Sequence, residues 1–376
     1  MRSATITIHQ DALAHNLQVI KDKTQPTTKV LAMVKADAYG HGVAAAVPAL
    51  MDADGFGVAC MSEALAVQDV LAQLKRTKPV VLIEGVFSYD EWLTAIEQDF
   101  GCVIHQDNQL EWALQSLPNA DSFCRTIWLK YNTGMCRLGF DTNNIIQKAK
   151  QLIQAGYRVI LTTHFACADD AQHPLNQVQI ERFNHALQAI QAFAPDTQGS
   201  LCNSAGIFNF TAHHHHWVRA GIALYGSKPI AQHSATALGL LPAMTLSAKI
   251  MAIHQLHAGD SVGYGALWQA DKPYQIGVVS IGYGDGYPRV VTGASVAITD
   301  TDGVVHSCAI LGRVAMDMFM VDIDGLAIEV GAPVVLWGDT PHIDEIASCA
   351  GTIGYELMCR LTQRPNRHIE MLSSNA

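Results

Sequence analysis

Eight short apolar runs punctuate the first 229 residues, at positions 30–34, 55–60, 80–85, 102–105, 126–130, 159–164, 200–203 and 218–224. Continuous apolar runs of this length are expected of parallel strands buried on both faces. Between most of them the apolar positions return at helical spacing, as in Glu63-Ala-Leu-Ala-Val-Gln-Asp-Val-Leu71 and Gln177-Val-Gln-Ile-Glu-Arg-Phe-Asn-His-Ala-Leu187. Eight such alternations predict a (β/α)8 TIM-type barrel. The fourth and seventh runs are the weakest, and a doubly wound sheet could absorb some of the same runs.

The texture changes after about Pro229. Residues 245–340 show β-branched alternation and turn signals, among them Ala258-Gly-Asp260, Asp302-Gly303 and Asp324-Gly325, and almost no helical period. A strand-rich domain is expected there, followed by a short helical stretch over residues 344–361. The division expected is therefore 1–229 for the barrel and 230–376 for the β domain. Residues 1–9, with Ile6 and Ile8 alternating, are strand-like and are expected to pair with the second domain.

Composition narrows the class. The 376 residues are 49% hydrophobic and 15% charged, with a net charge of −10, the profile of a compact enzyme. No Lys/Arg cluster overrides that charge, so nucleic acid is not an expected partner. No signal-peptide core or membrane-length apolar run is visible. The nine cysteines form no Cys-x-x-Cys pair, so reduced thiols in a cytoplasmic protein are expected. The His213-His-His-His216 run lacks a carboxylate or cysteine at ligand spacing; it reads as a solvated loop rather than a metal site.

In a barrel of this kind, chemistry sits at the C-terminal ends of the strands. Those ends carry Lys35, Lys130 with Arg137, His164, Asn203 with Ser204, and Arg219, a mouth lined with cations that suits an anionic ligand. Lys35 closes the run Val30–Val34, where partial burial favours an uncharged amine able to condense with a carbonyl. Asn203-Ser-Ala-Gly206 and Ala220-Gly-Ile222 are small-residue turns after the seventh and eighth runs, where barrels often bind phosphate. A Schiff-base lysine beside a phosphate seat points to pyridoxal 5′-phosphate.

With those residues in view, the chain resembles the alanine racemase family of fold-type III pyridoxal-phosphate enzymes. The matching stretches run from Val34-Lys35-Ala-Asp-Ala-Tyr-Gly-His-Gly42 through Leu129-Lys-Tyr-Asn-Thr-Gly-Met-Cys-Arg-Leu-Gly139, His164-Phe-Ala-Cys-Ala-Asp169, Asn203-Ser-Ala-Gly206 and Val218-Arg-Ala-Gly-Ile-Ala-Leu-Tyr-Gly226. They continue with Val262-Gly-Tyr-Gly265, Ile281-Gly-Tyr-Gly-Asp-Gly286, Leu311-Gly-Arg-Val-Ala-Met-Asp317 and Tyr355-Glu-Leu357.

The resemblance implies roles. Lys35 would carry the cofactor and act as base on one face of alanine; Tyr264 would act on the other, reaching from the β domain of a second subunit in a homodimer with composite sites. Tyr39, Ser204, Gly221, Ile222 and Tyr355 would hold the phosphate. Arg219 would face the pyridine nitrogen, and His164 would link Arg219 to Tyr264. Arg137 and the Met316 N–H would take the substrate carboxylate, with Lys130 matching a lysine that is carbamylated in many members. Asp169, Tyr283, Arg289 and Arg313 would line the entrance. Asn132 stands where an aspartate is common, and Arg364-Pro-Asn-Arg-His368 departs from an Arg-x-Pro-Arg-x-Tyr ending.

The chemistry is consistent with those roles. Racemisation takes the α proton from one face and returns one to the other, so two bases must flank a planar carbanion. Arginine at the pyridine nitrogen does not give up its proton, which weakens the electron sink and favours racemase over decarboxylase. The nearest rival is a racemase of serine or another small amino acid, because one methylene gives only about 1–3 kcal/mol of discrimination. A noncatalytic pyridoxal-phosphate carrier would be a lone barrel and would have no use for the β domain.

Overall fold

The computed structural model describes residues 3–371. Each of the eight apolar runs overlaps a strand: Lys29–Met33, Gly55–Val58, Val80–Leu82, Gly101–Ile104, Thr126–Lys130, Arg158–Thr162, Gln198–Ser200 and Trp217–Ala220. The seventh is displaced, its strand Gln198-Gly-Ser200 meeting the expected run 200–203 only at Ser200. They form one parallel sheet in sequence order, and the first pairs with the last, Lys29 opposite Trp217. Closure across the seventh and eighth strands is made by His216 N–H on Gly199 O at 3.1 Å and Arg219 N–H on Cys202 O at 2.9 Å. The doubly wound alternative is excluded by this ring. The eighth run is strand only to Ala220 and then coils into a 3-10 turn, Ile222–Tyr225.

Burial follows from the pattern. Val30, Leu31, Ala32 and Val34 are fully buried, as a strand covered on both faces requires. Trp128 and Trp217 meet edge to face at 5.3 Å, both buried, in the offset geometry that aromatic quadrupoles prefer.

The second sheet is strand-rich and antiparallel around a closed ring. Met244–Leu256, Tyr274–Val279, Phe319–Asp322, Val305–Leu311, Ser295–Thr299 and Pro333–Trp337 pair in turn, and the last returns to the first. Closure removes free edges. Tyr287 stacks between Phe319 at 5.4 Å and Trp337 at 5.8 Å in its core. The strand Thr5–His9 joins this sheet, antiparallel to Met244–Leu256 and parallel to Asn366–Glu370. The stretch expected to be helical over 344–361 is two helices, Ile343–Cys349 and Gly354–Cys359.

These helices are pinned to the barrel. Asp344 accepts from the Ser227 hydroxyl at 2.5 Å and the Lys228 N–H at 2.8 Å, and His342 Nε2 lies 3.0 Å from Gly226 O. That anchorage carries Tyr355 to the barrel mouth. All nine cysteines are free thiols. The histidine run is not the solvated loop expected: His214 is buried with Nε2 on Ile207 O at 3.0 Å, because the segment packs between the preceding helix and the eighth strand. Among the described residues, no group of three or more His, Cys, Asp and Glu is placed to hold a metal ion. Nor is any helix among them long and apolar enough to cross a membrane.

Candidate active site

A cavity of about 630 Å³ opens at the C-terminal ends of the barrel strands. It collects Lys35, Tyr39, Lys130, Arg137, His164, Ser204, Arg219, Gly221, Ile222 and Tyr355; all but Tyr355, which lies on the helix Gly354–Cys359, come from barrel strand ends or the turns after them. Parallel strands all deliver their last residues to one face, so residues far apart in sequence converge.

Lys35 begins an unusual turn. Ala36, Asp37, Ala38 and Tyr39 are all left-handed, with φ between 51° and 53°, a conformation costing roughly 1–2 kcal/mol per non-glycine residue. Surrounding bonds compel it. Glu63 accepts the Ala36 and Ala59 N–H groups, both at 2.8 Å, and Asp37 accepts the Val43 N–H at 2.8 Å. At Gly40 a Cβ would fall 2.2 Å from Met358 O, so only glycine lets the turn meet the helix bearing Tyr355. The Tyr39 and Tyr355 rings are consequently 5.9 Å apart. Burial foremost, then neighbouring groups, pushes both phenols above their ordinary range; both hydroxyls remain donors.

Opposite lies a small-residue cradle. Ser204 Oγ accepts the N–H groups of Gly221 at 2.8 Å and Ala223 at 3.4 Å, which leaves its own proton to donate elsewhere. A Cβ on Gly221 would stand 2.8 Å from Tyr39 Oη. The bare glycine therefore keeps open the space that Tyr39 and Ser204 face. Three hydroxyl donors around that space fit a phosphate, and Lys35 supplies an amine in the same cavity, so the donor set fits pyridoxal 5′-phosphate.

Arg219 is 7% exposed and held by five hydrogen bonds. Its Nη1 donates to Thr162 Oγ1, Ser200 O and Ser200 Oγ at 3.1, 2.9 and 2.6 Å, and its Nη2 to Thr163 O and Leu201 O at 2.5 and 3.3 Å. Burial pulls its pKa down to about 10, with Cys202 opposing and Arg137 assisting, which still leaves the guanidinium charged at neutral pH.

His164 Nε2 meets Asn203 Nδ2 at 3.3 Å; none of the Arg219 bonds above reaches the imidazole. Burial first, then Lys130, Arg219, Arg137 and Lys35, hold His164 well below its ordinary pKa, so the ring is neutral. Lys130 is likewise held well below the usual lysine range by burial and then by Arg219, Arg137 and Lys35. Asn132 Oδ1 accepts the N–H groups of Gly134 at 3.2 Å and Cys136 at 3.0 Å. This needs only an acceptor, which asparagine provides as well as aspartate, and it folds the chain so that Arg137 returns to the cavity that Lys130 lines.

The remaining expected residues lie outside the cavity lining. Tyr264 is 70% exposed on the turn between Ser261–Val262 and Trp268–Gln269, where Gly265 approaches Arg313 Nη1. Met316 and Tyr283 are exposed and share a backbone framework: Tyr283 N–H donates to Ala315 O at 3.0 Å and Gly284 N–H to Met316 O at 2.9 Å. Arg289 and Asp169 are exposed. Glu84, Thr162 and Cys359 line the cavity and were not expected. The strand-end rule that finds Lys35 also reaches Glu84, two residues beyond Val80–Leu82, and Cys359 stands one helical turn after Tyr355.

Comparison with known proteins identifies the family. Residues 8–229 match the family model "Alanine racemase, N-terminal domain" and residues 243–369 match "Alanine racemase, C-terminal domain". The alanine racemase of Psychrobacter sp. (strain PRwf-1) is 52% identical over 98% of this chain and 100% of its own length. The structure of alanine racemase from Acinetobacter baumannii superposes with a TM-score of 0.91 at 42% identity, over 98% of this chain and 100% of that one. Alanine racemase from Bartonella henselae with covalently bound pyridoxal phosphate superposes with a TM-score of 0.84 at 26% identity, over 98% of this chain and 100% of that one. Across both halves of its length, the chain belongs to the alanine racemase family.

Proposed function

We propose that this protein interconverts L-alanine and D-alanine with pyridoxal 5′-phosphate, using Lys35 on one face of the substrate and Tyr264 of a second copy on the other. The observation that carries the reading is the cavity itself. An amine, three hydroxyl donors and a charged arginine free of any carboxylate partner face one space of about 630 Å³. The covalent pyridoxal phosphate of the Bartonella relative supports the same cofactor here.

Bound there, the cofactor supplies the electron sink that lets an α proton leave. Tyr39, Ser204 and Tyr355 would donate to its phosphate, and the backbone at Gly221 and Ile222 would allow close approach. Arg219, immobilised on the ends of two strands, offers positive charge without surrendering a proton. Lys35 Nζ takes or returns the α proton on its face, and Tyr264 Oη does so opposite. Arg137 and the Met316 N–H hold the carboxylate, and Lys130 orients Arg137. His164 would reach Tyr264 of the second copy, with Asn203 rather than Arg219 as its partner on the inner side. Asp169, Tyr283, Arg289 and Arg313 border the entrance, and the aromatic crowding of Tyr264, Tyr283 and Tyr355 favours a small side chain.

Tyr264 is exposed and absent from the cavity of its own chain, which supports a homodimer in which each β domain completes the other site. We take residues 1–229 as the cofactor-binding unit and 230–376 as the unit supplying the second base. Nine free thiols support a cytoplasmic location.

The test is incubation of the purified protein and pyridoxal 5′-phosphate with L-alanine in heavy water, followed by chiral chromatography. The expected product is D-alanine deuterated at the α carbon, approaching a one-to-one mixture. Absence of D-alanine with the cofactor demonstrably bound overturns the substrate and moves the search to serine.

A further inference from the structure

We propose that Arg364 is a positioning residue for the face of the β domain that meets substrate, fixing Tyr283 and Met316 relative to one another. The inference rests on the reading that those two residues serve an alanine site.

Neither residue is held by burial: Tyr283 is 39% and Met316 52% exposed. Hydrogen bonds must set their positions instead, and the Arg364 guanidinium spans both loops. Its Nη2 donates to Asp317 Oδ1 at 2.5 Å, beside Met316, and its Nε lies 3.4 Å from Asp285 Oδ1, two residues after Tyr283. Asp285 is fully buried, and its other oxygen accepts the Gly282 N–H at 3.0 Å, so the guanidinium pairs with the carboxylate that shapes the tyrosine turn. A planar fork with separate donors can serve two carboxylates at once.

The local sequence is adapted to this contact. A Cβ on Gly284 would lie 2.1 Å from Arg364 Nη1 and 3.0 Å from Met316 O, so a larger residue there would displace the guanidinium from its two carboxylates. Thr362 N–H donates to Asp285 O at 3.1 Å and Thr362 Oγ1 to Gly284 O at 3.2 Å, laying the tail along the turn. Pro365 restricts Arg364 to extended backbone. Three residues on, Arg367 Nη1 donates to Gly40 O at 2.8 Å, directly after the turn that carries Lys35 and Tyr39. One tail therefore joins the turn of a chain's own cavity to the loops that, in a dimer, face its partner's.

The experiment compares Arg364→Met, Arg364→Lys and the control Arg360→Gln as holoenzymes. The Arg360 side chain pairs with Glu356 at the surface at 3.0 Å; only its backbone meets the tyrosine turn, at Gly286, and Arg360→Gln leaves that backbone in place. Readouts are kcat and KM for L-alanine, inhibition by propionate, the perturbation of cofactor absorbance by propionate, and the melting temperature. Arg364→Met is expected to raise KM and the propionate constants by about tenfold or more, as a displacement near 1 Å at the substrate would. Cofactor absorbance without propionate should stay unchanged. Arg364→Lys should recover part of the loss and Arg360→Gln should match the parent.

Wild-type KM and propionate constants in Arg364→Met overturn the proposal, and so does a lower melting temperature with those constants unmoved, the mark of a merely structural residue. If Arg364→Met does not fold, Asp317→Asn removes one arm of the clamp and is read by the same constants. Failure of the unmodified protein to racemise alanine defeats the functional reading instead, while propionate binding still tests the clamp.

Discussion

Asn203 faces two ways: its Nδ2 meets His164 Nε2 at 3.3 Å while its Oδ1 accepts the Gly206 N–H at 3.0 Å. The cap on Ser204–Asn209 consumes the carbonyl oxygen, so the amide must present N–H to the imidazole. His164 Nε2 is then the acceptor and the ring proton sits on Nδ1. A single side chain thus sets both the entry of the serine turn and the tautomer of the histidine. Asn203→Ala is expected to cost about 1 kcal/mol through the lost cap and to lower kcat/KM by releasing the ring. Asn203→Asp should raise the imidazole pKa by adding a carboxylate. A pH–rate profile identical to the parent in Asn203→Asp would count against this coupling.

Tyr264→Phe separates the two faces of the reaction. Cofactor binding should persist, because the phosphate donors proposed are Tyr39, Ser204 and Tyr355, not Tyr264. L-to-D turnover should fall by roughly 10²–10⁴, the usual worth of a positioned acid or base, while α-proton exchange from D-alanine in heavy water survives far better. Equal loss of exchange from both isomers would contradict face-specific roles.

Gly221→Ala tests the cradle. The new methyl would sit 2.8 Å from Tyr39 Oη, closer than van der Waals contact permits, and the cofactor dissociation constant should rise about tenfold or more. Removing the opposing oxygen should relieve part of the clash, so Gly221→Ala with Tyr39→Phe is expected to bind better than the sum of the single losses predicts. Strict additivity, measured by cofactor titration, would place the defect elsewhere.

Acid should unfold the protein partly through His41. Burial, with smaller contributions from Arg367 and His9 against two backbone hydrogen bonds, lowers its pKa from 6.5 to about 4. Between those values the unfolded chain binds more protons than the folded one, so stability falls as pH falls from 6.5 toward 4. The loss from this residue should reach about 2 kcal/mol by pH 5. Denaturant titrations of the parent at pH 7 and 5, set against His41→Gln, should show a smaller pH difference in the variant. An equal slope would clear His41.

The barrel was legible because most of its buried strands write continuous apolar runs, the seventh, Gln198-Gly-Ser200, being the exception that blurred its bounds, and the β domain because half-covered strands alternate. The cationic mouth was legible for a related reason: parallel strands end on one face, so the residue after each run could be placed without coordinates. What the sequence could not show is what depends on contacts between distant segments. Nothing in Ala36-Asp-Ala-Tyr39 favours a left-handed turn; Glu63, Val43 and the Met358 backbone impose it. The burial of His214 needs the helix at Ile207 above it, and the exposure of Tyr264 needs the whole β sheet. Arg364 stood in a tail, Arg364-Pro-Asn-Arg-His368, noted only for its departure from a pattern, and only folding brought its guanidinium between Asp285 and Asp317. Local hydrophobic order chose the elements, since burial of apolar surface acts wherever such runs occur. Strain, tautomer and ion pairing waited on the tertiary structure, because each is set by partners that meet only when the elements pack.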